Sequence, residues 1–228
     1  DGFNGTVPSN GTVLPYLDSL TREARAIGAV NAVYRRGRDW AGANTDCQGF
    51  LTSLKKEGSF NPRGKKILVL GAGGAARAVI YGLARSGCRE IRIVNREKFR
   101  ANREKIIRDF KQIFPKTEFR GFPRSRANLT LALKGVQLVV NATSVGVTFE
   151  TKPLIPESLI PKAGRGRRIL FFDLFYHKET RFLKSAKKKG HRTVGGLGML
   201  VYQGAEAFRL WTGKKASVDT MRKAIRHA

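Results

Sequence analysis

The stretch KKILVLGAGGAARAVIYGLARSG (65–87) constrains this chain more than any other. A continuous aliphatic run ends in glycine and passes at once into residues with helical spacing. Such a run suits a strand buried on both faces of a parallel sheet. The turn between strand and helix reads Gly71-Ala72-Gly73-Gly74-Ala75-Ala76 and fits G-x-G-x-x-(G/A). In that pattern the first glycine makes the tight turn and the second lets the backbone approach a pyrophosphate. The last small residue permits close helix–strand packing. The helix N-terminus adds N–H donors and a positive dipole end. Gly71, Ala72, Gly73, Gly74 and Ala75 are therefore the candidate pyrophosphate-binding residues.

The alternation continues beyond this unit. EIRIVN (90–95) predicts a second strand, and 98–114 a helix stopped by Pro115. TEFRGF (117–122) predicts a weaker strand and 126–135 a short helix. QLVVNAT (137–143) and RRILFFDLFY (167–176) predict two more buried strands. A helix over 179–190 and a short strand over 191–196 close the series. Strands alternating with helices in this way imply an α/β fold with a doubly wound parallel sheet.

Two regions lie outside the alternation. Residues 1–60 read as a polar loop, a helical stretch over 14–28, a short strand near AVNAVYR and a helix NTDCQGFLTSLKKEG. Residues 198–228 read as two helices, the first closed by Gly213 and the second capped by Ser217. SFNPRG (59–64) is the expected domain boundary. The expected organisation is thus a dinucleotide-binding Rossmann domain over 61–196 and an incomplete second α/β domain over 1–60. The helices of 197–228 are expected to pack back on the latter.

The residues after the second strand choose the cofactor. NAD-binding units place an acid about 20 residues after the glycine turn, to hold the ribose hydroxyls. Here the place reads Val94-Asn95-Arg96-Glu97-Lys98. A guanidinium suits a 2′-phosphate by bidentate pairing, so Asn95, Arg96 and Lys98 point to NADP. Glu97 works against this, either by partly neutralising the site or by mimicking the NAD acid one position late.

Charge and cysteine content set outer bounds. Lys plus Arg is 44 against 17 for Asp plus Glu, a formal net charge of +27. Such a charge favours polyanions. The basic residues are nevertheless spread along the chain, and no RNA-binding signature, zinc-finger spacing or basic zipper accompanies them. Nucleic acid is therefore a minor reading. Cys47 and Cys88 have no metal-ligand or disulfide spacing, as expected of reduced thiols in a cytoplasmic protein. No apolar run approaches the ~20 residues needed to span a bilayer.

The segments GFNGTVP, GAVNAV (28–33), GANTDCQGF (42–50), GAGGAARA, VNATSVGV (140–147), DLFYHKET (173–180) and GLGMLVYQGAEAFRLWTG (196–213) follow one another along the chain. Together they resemble the shikimate dehydrogenase family over nearly all of residues 2–213. The resemblance implies reversible, NADPH-dependent reduction of 3-dehydroshikimate to shikimate in a cleft between a substrate domain and a Rossmann domain, in a cytoplasmic monomer or homodimer. By the same resemblance Asp46 is the catalytic aspartate, and Thr6, Asn31, Tyr176 and Gln203 are substrate contacts. Thr143 and Ser144 lie near the cofactor, and Leu174 and Gly196 hold its nicotinamide end. The family also has a preceding βαβ segment with a serine pair for the substrate carboxylate, so a chain starting at Asp1 reads as truncated.

The residue types suit a polyol acid. Asn, Thr, Gln and Tyr are neutral donors and acceptors that fix hydroxyl groups. Hydride transfer to a carbonyl also requires a positioned acid–base group. There the chain departs from the family. The pattern places an acid–base lysine two residues after the loop proline; this chain reads Pro8-Ser9-Asn10, and residues 1–54 contain no lysine. Asn10 can hydrogen-bond but cannot shuttle a proton near neutral pH. Impaired activity is therefore expected, and a non-catalytic NADP(H)-binding pseudoenzyme is the alternative. A basic nucleic-acid-associated Rossmann protein is the second alternative.

Overall fold

The opening residues form a strand, β1 (Gly2–Asn4), where the sequence reads as a loop. The cause is distant in the chain. Gly2 leaves room for the indole of Trp211, which donates its Nε1–H to Val33 O at 2.9 Å. The computed structural model describes residues 1–5, 13–143, 153–164 and 168–226. Two compact units emerge, residues 1–53 with 198–228, and residues 54–197.

The first unit continues with β2 (Ser19–Leu20), α1 (Arg22–Ile27), β3 (Ala32–Arg36), β4 (Asp39–Ala43) and α2 (Asp46–Lys56). Its sheet has the order β1-β3-β4-β2, with β2 parallel to β4 and the other pairs antiparallel. The single helical stretch expected over 14–28 is corrected to a 3-10 turn at Leu14–Tyr16, then β2, then α1. Asp18 breaks the helix, because its carboxylate accepts from Trp40 N at 2.7 Å and its own N–H donates to Trp40 O at 3.0 Å. Those bonds draw the chain out along β4. Thr21 then starts α1 by accepting from Ala24 N, and Gly28, at φ 71°, ends it. The leucines that suggested a helix, Leu14, Leu17 and Leu20, pack instead against Ala24, Val30 and Val33.

The second unit holds β5 (Lys66–Leu70), α3 (Gly74–Arg85), β6 (Glu90–Asn95), α4 (Arg100–Ile113), β7 (Glu118–Pro123) and α5 (Arg126–Leu133). It continues with β8 (Leu138–Asn141), β9 (Leu170–Asp173), α6 (Arg181–Lys188) and β10 (Arg192–Val194). The six strands are all parallel, in the order β10-β9-β8-β5-β6-β7. The order reverses between β5 and β8, and ligands of such sheets bind at the carboxyl ends of the strands at that point. Leu68, Val139, Phe171, Leu129 and Phe182 belong to one core cluster of this unit. β9 ends at Asp173 and not at the expected 176, because the Asp173 carboxylate accepts from Phe175 N and turns the chain.

The chain ends with α7 (Leu197–Thr212) and α8 (Val218–Arg226). Within the first unit, Ala207 of α7 packs with Ala32 and Ala43 of the sheet, beside Tyr34, Leu210 and Trp211. Among the described residues no helix is long and apolar enough to cross a membrane.

Candidate active site

In the first unit three distant segments bring polar side chains together. Asn31 enters just before β3, Thr45 and Asp46 open α2, and Gln203 projects from α7. Asn31 donates its amide to Asp46 Oδ1 at 2.8 Å, to Thr45 Oγ1 at 3.0 Å and to Gln203 Oε1 at 3.4 Å. Its carbonyl oxygen accepts from Thr45 N at 2.7 Å. Thr45 Oγ1 also lies 3.2 Å from Gln203 Oε1. The Gln203 amide nitrogen is held by Leu200 O at 3.0 Å, so the glutamine presents its oxygen to the cluster.

Local chemistry fixes each member. Asn44 accepts from Cys47 N and donates to Ala29 O, which ties the start of α2 to the segment before Asn31. α7 can come this close to α2 because residue 49 is glycine. A Cβ there would lie 2.7 Å from Gln203 Cβ and 2.9 Å from Met199 O. Burial pushes the Asp46 carboxyl up to about 6, against the Asn31 bond, which lowers it. Part of its surface stays open to solvent. A carboxyl titrating near neutrality in a polar cluster has the properties of an acid–base group.

The sequence pattern also names residues elsewhere. Thr6, Asn10 and Ser144 lie outside the described residues. Tyr176 belongs to the second unit, is 41% exposed and lies tilted against His177, with ring centroids 4.2 Å apart. Thr45 was missed by the sequence reading, although it is the middle residue of the quoted Asn44-Thr45-Asp46.

The second unit carries the nucleotide-binding geometry. Gly71 follows β5 at φ 115°, and a Cβ there would lie 2.6 Å from Ala142 O after β8. Only glycine suits both constraints. At Gly73 and Gly74 a Cβ would meet nothing within 4 Å, so open space faces the start of α3. A glycine cradle at the N-terminus of a 12-residue helix fits a pyrophosphate. Ala72 is buried in the turn, and Ala75 lies in the first turn of α3.

After β6, the Asn95 side chain accepts from Arg96 N at 2.9 Å and fixes the turn. Arg96 and Lys98 both reach the Phe99 ring, at 5.0 and 5.2 Å from its centroid. The Glu97 carboxylate faces Arg103 and Arg100, at 3.8 and 3.9 Å. Arg96, Lys98 and Phe99 thus form a cationic, partly apolar edge that fits an adenosine 2′-phosphate. On the far side of the switch point, Thr143 donates to Asn141 Oδ1 through N and Oγ1, at 3.0 and 2.7 Å. Leu174 O lies against Gly196, where a side chain would clash, and Gly196 N donates to Phe175 O at 3.0 Å.

A reversing parallel sheet with a glycine cradle in one unit, and an acid-centred polar cluster in the other, are the features of a Rossmann-type oxidoreductase. Residues 53–175 match the family Shikimate / quinate 5-dehydrogenase, and residues 196–226 match the Shikimate 5'-dehydrogenase C-terminal domain. The shikimate dehydrogenase (NADP(+)) of Desulforamulus reducens is 43% identical over 225 residues, covering 98% of this chain and 75% of that protein. The shikimate 5-dehydrogenase of Listeria monocytogenes, solved with shikimate and NAD, is 33% identical with a TM-score of 0.89, covering 98% of this chain and 77% of that one. The enzyme of Thermus thermophilus, solved with NADP(H) and shikimate, is 38% identical with a TM-score of 0.82, covering 99% and 78%. The chain belongs to the shikimate dehydrogenase family.

Proposed function

We propose that this chain interconverts shikimate and 3-dehydroshikimate with NADP(H), using Asp46 as its acid–base group. The observation that carries the proposal is the convergence of Asn31, Asp46 and Gln203, in a chain whose relatives act on shikimate. Held by the cradle of Gly71, Gly73 and Gly74 with Arg96 and Lys98 at its 2′-phosphate, NADP+ would supply the hydride acceptor for the carbinol carbon of shikimate. The hydroxyl proton must leave at the same time, so that shikimate and NADP+ give 3-dehydroshikimate, NADPH and a proton.

Asp46 is suited to receive that proton. Its carboxyl is pushed up to about 6, so it is mostly ionised at neutral pH yet basic enough to share a hydroxyl proton. Asn31 orients the carboxylate, and Gln203 Oε1 and Thr45 Oγ1 offer further partners for substrate hydroxyls. Among the described residues no cation pairs with Asp46. With Asn10 in place of the family lysine, Asp46 bears the acid–base work alone, and turnover is slow. Arg96 and Lys98 select NADP over NAD through the 2′-phosphate. Cys47 and Cys88 are both buried and in no disulfide, which suits a cytoplasmic setting.

The test is the pH profile of shikimate oxidation. The base form is required, so kcat/KM should rise through about pH 6 and then level off. A profile flat from pH 5 to 8 removes Asp46 from the proton step. NADP(H) binding with no turnover at any pH would favour the pseudoenzyme.

A further inference from the structure

Asp173 and Asn141 end adjacent parallel strands in register, and both are buried, at 0% and 2% exposure. The Asn141 amide donates to Asp173 Oδ1 at 2.9 Å. The same oxygen accepts from Phe175 N at 3.1 Å, and Oδ2 accepts from Thr180 Oγ1 at 2.6 Å. Thr180 in turn accepts from Leu183 N at the start of α6. On the other side, Asn141 Oδ1 accepts from Thr143 N and Oγ1, and Asn141 O accepts from Leu174 N at 3.0 Å. One side-chain pair therefore fixes the segment after β8, the turn after β9 and the entry to α6.

We propose that Asp173 is a positioning residue for the cofactor: through Asn141 it clasps the segment after β8 to the turn after β9, and so places Thr143 and Leu174. Sheet packing alone does not call for this pair. An isolated carboxylate is costly to bury, and burial does push the Asp173 carboxyl upward. No Lys, Arg or His among the described residues pairs with it. Three donors converge on it instead, which suits an acceptor-only group. The pair sits at the carboxyl edge of the sheet, where this fold binds its ligand. The cofactor-facing roles of Thr143 and Leu174 rest on the proposed function; the clasp itself rests on the hydrogen bonds.

The test combines cofactor affinity with amide exchange in Asp173→Ala, Asp173→Asn and Asn141→Ala. Asp173→Ala should weaken NADPH binding about tenfold, the loss of roughly one charge-assisted hydrogen bond, with KM for shikimate within about twofold. The Thr143 amide does not touch Asp173, yet it should exchange faster in this variant. Asp173→Asn keeps a carbonyl oxygen for Asn141 and Phe175 and should restore most of the affinity. Should Asp173→Ala fail to fold, Asn141→Ala decides. It leaves Asp173 its bonds to Thr180 and Phe175, and should likewise weaken NADPH binding without moving KM for shikimate.

Unchanged Thr143 exchange in Asp173→Ala, or unchanged NADPH affinity in Asn141→Ala, would overturn the clasp. So would an Asp173→Asn variant as weak as Asp173→Ala. Were the unaltered protein to bind no NADP(H), the functional reading would fall, while faster Thr143 exchange in Asp173→Ala would still uphold the clasp.

Discussion

Asn31 holds the Asp46 carboxylate by a 2.8 Å hydrogen bond across 15 residues of sequence, and this bond joins the segment before β3 to the first turn of α2. The bond opposes burial only in part, so the acid stays less ionisable than in the unfolded chain. The consequences fall on both stability and catalysis.

The first prediction concerns Asp46→Asn. The carboxyl shifts from 3.8 to about 6 on folding, so the unfolded chain loses its proton first. The penalty is absent below about pH 4, grows between 4 and 6, and is complete above 6. An amide at this position still accepts from Asn31. Asp46→Asn should therefore stabilise the protein by about 1–2 kcal/mol at pH 8, a figure reduced for partial solvent access, and by nothing near pH 3.5. Urea melts at the two pH values check this; equal stabilisation at both would contradict it.

Gly49 sets the spacing of α2 and α7. Gly49→Ala would place a Cβ 2.8 Å from Gln203 N. Overpacking of this kind costs roughly 1–3 kcal/mol and should move Gln203 off Asn31. KM for shikimate should rise, while NADPH affinity measured by fluorescence stays the same. A parallel loss of both would show a general collapse instead.

His191 is held as a neutral ring. Its Nδ1 accepts from Ile169 N at 3.3 Å, so the 2.9 Å contact of Nε2 with Pro161 O is a donated bond. Burial pushes its pKa down, beyond the opposing effect of the Pro161 carbonyl. The folded state then resists protonation. Its contribution is complete above the ordinary value of 6.5 and is lost as pH falls below it. His191 by itself lowers stability as pH falls below about 6.5, against the opposite trend set by Asp46, so His191→Gln should remove that decline from the pH slope of thermal melts. An unchanged slope in the variant would assign the decline to other groups.

Arg96 tests cofactor choice. Glu97 is turned toward Arg100 and Arg103, which leaves the guanidinium of Arg96 on the Phe99 ring. Arg96→Ala should cost NADPH about 1–3 kcal/mol of binding and leave NADH affinity unchanged. Equal losses for both cofactors would move the 2′-phosphate site elsewhere.

The parallel sheet was legible because its signals are local. Buried strands read as continuous apolar runs, and the second strand and the start of the helix at Arg126 fall where the sequence places them. The first unit was less so. β1 depends on Trp211, and β4 has the sequence Asp-Trp-Ala-Gly-Ala, with little strand propensity. Gly42 is needed there because Leu17, Leu20 and Val30 crowd its face. Of the site, Asn31, Asp46 and Gln203 were named from the family resemblance, since nothing local ties residue 31 to residue 203. Asn141 is the second residue of the quoted VNAT segment and Asp173 the first of DLFY, yet in-register pairing of two strand ends leaves no mark on either segment alone.

The most direct measurement is the initial rate of NADPH formation from shikimate and NADP+, in the unaltered chain, in Asn10→Lys and in Asp46→Asn. The account predicts slow, shikimate-dependent turnover in the first. Asn10→Lys should raise it at least tenfold, within the ~10²–10⁴ worth of a general acid–base group. Asp46→Asn should abolish it. Undiminished turnover in Asp46→Asn, or no shikimate-dependent NADPH from either the unaltered chain or Asn10→Lys, would contradict the account.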